Sequence, residues 1–156
     1  MGDIFEEVVA SWLQINGYFI MQNIKYGFNN EIDILATKLP INKVIHIEVS
    51  CSSNPVGILG TNKAGEKNYE RFALEYLEKK FFNQRVLDRI NEISNKIQIE
   101  RWFIHAKLKE PKQLEIIQKK DIKTIPIDGV ISDIKKSKLN VFSGDKRLKQ
   151  LLDIIK

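Results

Sequence analysis

Between Asp3 and about Asn16 the apolar residues Phe5, Val8, Val9, Trp12 and Leu13 recur every three or four positions. That spacing predicts an amphipathic helix, with Asp3 available as its N-cap and Gly17 as its stop. The pattern then shifts to short runs rich in β-branched and aromatic residues at 18–23, 31–36 and 44–49, separated by Asn, Gly, Lys or Pro. Three strands are expected there. Pro40 and Asn42 lie between the second and third, a connection short enough for an antiparallel hairpin. Residues 52–62, with Pro55, Gly57 and Gly60, read as a loop. Beyond it Tyr69, Phe72, Ala73, Tyr76 and Leu77 mark the buried stripe of a long helix, with Lys63, Lys67 and Arg71 on another side at four-residue intervals.

A further helical segment is expected near 86–97. Residues 101–106 then read as a strand, 111–119 as a helix opened by Pro111, and 122–127 as another strand. Such a β-α-β crossover makes its strands parallel and right-handed, so the sheet should be mixed and covered by helices. Leu148, Leu151, Leu152 and Ile155 fall on one face of a closing helix near 145–155. No repeat or linker divides the chain, so residues 1–156 are expected to form one α/β domain with core order αβββαβ.

Composition narrows the class. The chain has 156 residues, 43% hydrophobic and 29% charged, a balance that suits a soluble globular domain. Lys and Arg outnumber Asp and Glu by 25 to 20, which favours an anionic partner, nucleic acid being the commonest. The same Lys, Ile and Asn abundance also follows from a biased genome. The lone Cys51 excludes an intramolecular disulfide, and no Cys or His cluster offers a zinc site. Asp3, Glu6 and Glu7 stand where a signal peptide needs positive charge, and no stretch reaches membrane-spanning length. A cytoplasmic protein with no membrane partner is expected.

The candidate chemistry lies on the hairpin. If its register is symmetric about the turn, pairing Thr37 with Val44 also pairs Asp33 with Glu48. Directly opposed residues share a face, with Cβ atoms roughly 4.5–5.5 Å apart. Two carboxylates there repel, and a divalent cation such as Mg²⁺ or Mn²⁺ would resolve the repulsion. The competing reading is a solvated sheet face with each acid paired to a lysine, and a one-residue slip would separate the acids onto opposite faces. Glu6 shares its helical ridge with Val9, Ala10 and Leu13, which places it at the edge of the apolar face, whereas Glu7 is directed towards water. A charge stabilising the first helical turn is the alternative role for Glu6.

The order Gly2-x-x-Phe5-Glu6 opening a helix, then Gly17-Tyr18, then Glu31-Ile32-Asp33-Ile34-Leu35-Ala36, then Ile47-Glu48-Val49-Ser50, resembles the PD-(D/E)XK nuclease superfamily, particularly its resolvase-like and restriction-endonuclease-like members. The resemblance covers roughly residues 2–80. It implies a restriction-endonuclease-like core and a metal-dependent endonuclease that hydrolyses DNA phosphodiester bonds, including those of branched or structured DNA. It also implies Asp33 and Glu48 as ligands of Mg²⁺ or Mn²⁺, with Glu6 completing or orienting the shell.

The family pattern has Glu-x-Lys where this chain has Glu48-Val49-Ser50. A neutral serine hydroxyl does not replace the lysine that positions the attacking water and offsets transition-state charge. A lysine from the next helix can substitute, with Lys63 and Lys67 the nearest in sequence. Otherwise the metals alone support cleavage, or the domain is a catalytically inactive module that binds DNA or a protein partner. An unrelated α/β interaction domain with structural acids is a third reading. Lys63, Lys67 and Arg71 form a ridge that could follow a phosphate backbone, or a plain solvated face beside Glu66 and Glu70. Asn29 and Asn30 could contact DNA or simply form a turn. His46 alternates onto the face of Glu48, while Cys51, Trp12 and Trp102 fit core positions. A homodimer is expected if two strands are cut by symmetry-related sites.

Overall fold

The computed structural model describes residues 3–51, 69–106, 108 and 111–137. Helix α1, Ile4–Ile15, begins where the Asp3 carboxylate accepts a hydrogen bond from the Phe5 amide at 3.2 Å. It buries Val8, Val9, Ala10 and Leu13. The chain leaves it through Gly17 at φ +83°, a left-handed conformation that glycine adopts without a Cβ penalty.

Strand β1, Phe19–Gly27, runs further than the sequence pattern indicated, through Ile24 and Tyr26, because it pairs along its length with β2, Asn30–Thr37. Strand β3, Lys43–Ser50, lies antiparallel to β2 with Ile34 opposite Ile47, Leu35 opposite His46 and Ala36 opposite Ile45. That is the register expected from a symmetric turn. Strands β4, Gln98–His105, and β5, Ile122–Pro126, continue the sheet in parallel, so the five strands stand in chain order and the sheet is mixed.

Helices cover both faces. Helix α5, Ile127–Lys136, joins α1 on one face, where Val130, Ile131 and Ile134 meet Ile34, Ala36, Ile45, Ile47 and Ile104. On the other face α2, Tyr69–Leu77, passes directly into a π-helical turn, Glu78–Phe82, followed by α3, Gln84–Ser94. Here Val86 and Ile90 pack on Ile24, Ile32, Leu35 and Val44. Leu77, Phe81 and Ile117 of α4, Lys112–Gln118, close over Phe103 and Ile122. Helix α5 is the element that the sequence pattern did not announce. It is short and carries Gly129, so its intrinsic helix preference is poor. Burial of Ile127, Val130, Ile131 and Ile134 against α1 and the sheet determines it instead.

Strands β2 and β3 are buried along most of their length. Each fully buried isoleucine contributes about 1.5–3 kcal/mol, and Ile32, Ile34 and Ile47 are all at zero exposure. Strand alternation turns Asp33 and Glu48 to the face opposite Ile34 and Ile47, under the helical layer that carries Lys80 and Phe81. Trp102 is buried, with Trp12 and Tyr18 each 6.1 Å from it between ring centroids. Cys51 packs on the same core, and burial raises its thiol pKa to about 12. All three readings as core residues hold. Among the described residues no helix is long and apolar enough to cross a membrane. The loop expected at 52–62 and the closing helix at 145–155 lie outside the described residues.

Candidate active site

The β2–β3 register, carried one residue beyond Ile34 and Ile47, sets Asp33 opposite Glu48. Asp33 is 7% exposed and Glu48 fully buried. Asp33 Oδ2 accepts the Val49 amide at 2.8 Å, so one carboxylate oxygen is held by the neighbouring strand. Burial raises both acids above the usual carboxylate range. For Asp33 the charge of Glu48 adds to the rise, with Lys80 acting against it, while for Glu48 Lys80 is the main opposing influence.

Lys80 comes from the π-helical turn. Its Nζ stands 2.9 Å from Glu48 Oε2 and 4.0 Å from Asp33 Oδ1. Burial disfavours its charge, but Glu48 and Asp33 outweigh that effect and raise its pKa above the ordinary lysine value. It is therefore an ammonium at neutral pH. Sequence reading did not identify it, although a signal was present. Ala73, Tyr76 and Leu77 form an apolar ridge whose next positions are Lys80 and Phe81, so a lysine sits in line with the buried stripe.

His46 is also at zero exposure, and its Nε2 lies 2.9 Å from Glu48 Oε1. Desolvation first, and then the positive charges of Arg101 and Lys80, drive its pKa down to about 3. A neutral imidazole beside a carboxylate oxygen must donate through Nε2, leaving Nδ1 as an acceptor. Nδ1 is buried without a hydrogen-bond partner among the described residues. The ring rests on Phe81, 4.7 Å between centroids. Glu48 is thus held by His46 on one oxygen and by Lys80 on the other. Tyr76 lies in the same environment, its phenol pushed well up by burial and then by Glu48 and Asp33.

Glu6 approaches from the first turn of α1. Its pKa rises to about 7 through burial and then through the charge of Asp33. Its Oε2 is buried and has no hydrogen-bond partner among the described residues. Glu6 thus feels the charge of Asp33, yet among the described residues no three His, Cys, Asp or Glu side chains are close enough to hold one ion between them. Asp33 and Glu48 are the pair brought together. Such a pair suits Mg²⁺, which keeps several waters and takes only one or two carboxylates besides substrate oxygens.

Of the remaining sequence candidates, Ser50 ends β3, its backbone paired with His105 and its carbonyl accepting the Ala106 amide at 3.3 Å. Among the described residues no hydrogen bond joins its hydroxyl to the acids. Arg71 is exposed on α2 and bonded to Glu75 at 2.7 Å, which engages it in a surface pair. Asn30 opens β2 opposite Gly27 at the tip of the β1–β2 hairpin. Lys63 and Lys67 lie outside the described residues.

No family model matches the chain, and no curated protein aligns with it significantly. Among solved structures, the crystal structure of a protein of unknown function, AF1548, is similar to this chain with a TM-score of 0.52 and 13% identity. The likeness covers 98% of this chain and 78% of that one. At this identity it is a likeness of fold.

Proposed function

We propose that this chain is a metal-dependent DNA endonuclease with a restriction-endonuclease-like core, in which Lys80 replaces the lysine missing at Ser50. The observation that carries this reading is the Lys80 ammonium held against Glu48 and Asp33. Asp33 and Glu48 share that cation, and Glu6, whose charge is coupled to that of Asp33, keeps a buried oxygen without a hydrogen-bond partner among the described residues. This imbalance favours a hard divalent cation.

Asp33 and Glu48 would hold Mg²⁺ or Mn²⁺, with Glu6 orienting the shell. When bound, the cation supplies Lewis acidity to the scissile phosphate and acidifies a water. Asp33 is anchored for this role by the Val49 amide and Glu48 by His46 Nε2–H. Lys80, kept charged by its acidic neighbours, donates hydrogen bonds to the attacking water and to the phosphoryl oxygens as their charge grows. Its raised pKa suits it to electrostatic stabilisation rather than proton abstraction. The net charge of +5 favours approach to a polyanion, and two copies in a homodimer would cut both strands of DNA.

The Lys80–Glu48 pair also gives a specific basis for a second reading, a catalytically inactive DNA-binding module, since Lys80 already supplies Glu48 with a counter-charge. The test is incubation of wild type and Asp33→Asn with labelled duplex, flapped and four-way-junction DNA, in Mn²⁺, Mg²⁺ or EDTA. Cleavage by wild type alone, lost in EDTA, supports the nuclease. Binding without cleavage selects the inactive module, and absence of both rejects a DNA function.

A further inference from the structure

The β1–β2 hairpin ends in Phe28, which is 95% exposed. Exposed apolar side chains are common singly, but this one has a particular setting. A register irregularity between Lys25 and Gly27 bends the hairpin just before the tip. Phe28 borders a shallow depression lined by Lys25, Gly27, Asn29, Asn30 and Glu31. The Arg85 guanidinium approaches from α3, its Nη1 3.9 Å from the position a Cβ on Gly27 would take. Lys25 and Arg85 are exposed, and among the described residues neither makes an ion pair. The tip therefore presents an exposed aromatic ring with two cations nearby that make no ion pair among the described residues, with amide groups beside it and Glu31 as the nearby acid.

Strand β2 links this tip to the acids. Asp33 follows Asn30 by three residues, which at about 3.3 Å per residue is about 10 Å along the strand, roughly three nucleotide steps of a DNA strand. We propose that Phe28 is a stacking platform for an unpaired or unstacked base at a branch, flap or nick in DNA, with Lys25 and Arg85 on the flanking phosphates. This assignment rests on the nuclease reading and specifies its substrate class. A fully stacked duplex offers no free base face to an aromatic ring, whereas a branch point does. The charge of Lys25 and Arg85 selects a polyanion over an apolar protein surface as the occupant.

The test uses the full chain in EDTA, so that binding is read without cleavage, on a four-way junction, a flapped duplex and a continuous duplex with 2-aminopurine at the branch or the matching paired position. For wild type, fluorescence of the branch-point base is expected to be quenched on binding. Phe28→Ala is expected to lose the quenching and about tenfold in affinity for branched DNA, with less than about a twofold change on continuous duplex. Phe28→Trp is expected to retain both signals. Equal binding and quenching by wild type and Phe28→Ala would overturn the stacking role while leaving the nuclease reading intact. Failure of wild type to bind any of the three DNAs would overturn both. A wild-type dimer converted to monomer by Phe28→Ala in sedimentation, without a branch-specific effect, would assign the tip to self-association and overturn the proposal.

Discussion

Lys80 reaches Glu48 across the interface between the helical layer and the sheet, Nζ to Oε2 2.9 Å. The cation that balances this strand acid is thus delivered by a π-helical turn rather than by the strand's own next inward position, where Ser50 stands. Lys80→Ala is expected to lower DNA cleavage by about a hundred- to a thousandfold. Lys80→Arg should not restore it, since a planar guanidinium does not occupy the position of a compact ammonium. Single-turnover rates on a cleavable DNA measure this, and a Lys80→Ala enzyme of wild-type rate would remove Lys80 from the mechanism.

Asp33 and Glu48 are held together at a cost to the folded state. Asp33→Asn keeps an oxygen for the Val49 amide while removing one of the two facing charges. In EDTA at pH 8 the variant is expected to melt about 3–8 °C above wild type, and to lack the rise in melting temperature that Mn²⁺ is expected to give wild type. Paired thermal scans with and without Mn²⁺ check both halves.

The pH dependence of the metal-free protein follows from the same acids. Glu6 titrates at about 7 in the fold, and Asp33 and Glu48 are likewise raised, so the native state holds protons that the unfolded chain releases from about pH 4 upward. Their contribution to stability is full below the unfolded pKa and is lost as pH rises through about 7. His46 works in the other direction, its folded pKa of about 3 making stability fall as pH drops below about 6.5. Three acids outweigh one histidine between pH 4.5 and 6.5, and above that the acids act alone. Denaturation midpoints in EDTA should therefore decline from about pH 5 to pH 8, most steeply near pH 6 and levelling off above about 7. A flat or rising profile would contradict this.

His46→Phe keeps an aromatic ring against Phe81 but removes the hydrogen bond to Glu48 Oε1. Loss of this support is expected to weaken Mn²⁺ binding about 10- to 100-fold and to cost about 1–3 kcal/mol of stability. Calorimetric titration of Mn²⁺ with wild type and variant separates the effect on the ion from the effect on folding. Unchanged affinity in a destabilised variant would reduce His46 to a packing role.

Much of the site could be read from the chain because a hairpin makes register a local property. Thr37 and Val44 about a short turn are enough to place Asp33 against Glu48, and β-alternation alone puts His46 beside them. Glu6 was accessible through helical phase in α1. Lys80 was harder because the apolar stripe of α2 was followed only to Leu77, and a lysine at the next inward position looks like the end of a buried face. Helix α5 was obscured for a different reason. Its four buried residues share a helical period, but Ile127 also completes an apolar strand run and Gly129 weakens the local helix preference, so only packing against α1 resolves the ambiguity.

The π-helical turn makes the site depend on a count. A π-turn carries its hydrogen bonds one residue further along the chain than an α-turn does, and each residue of an α-helix turns the side-chain direction by about 100°. Deleting one residue within Glu78–Phe82 would let the backbone relax to a continuous α-helix and swing the ammonium away from Glu48, with no change to either carboxylate. A lineage could therefore switch this centre off, or recover it, by the loss or gain of a single codon in a segment distant in sequence from the strand acids.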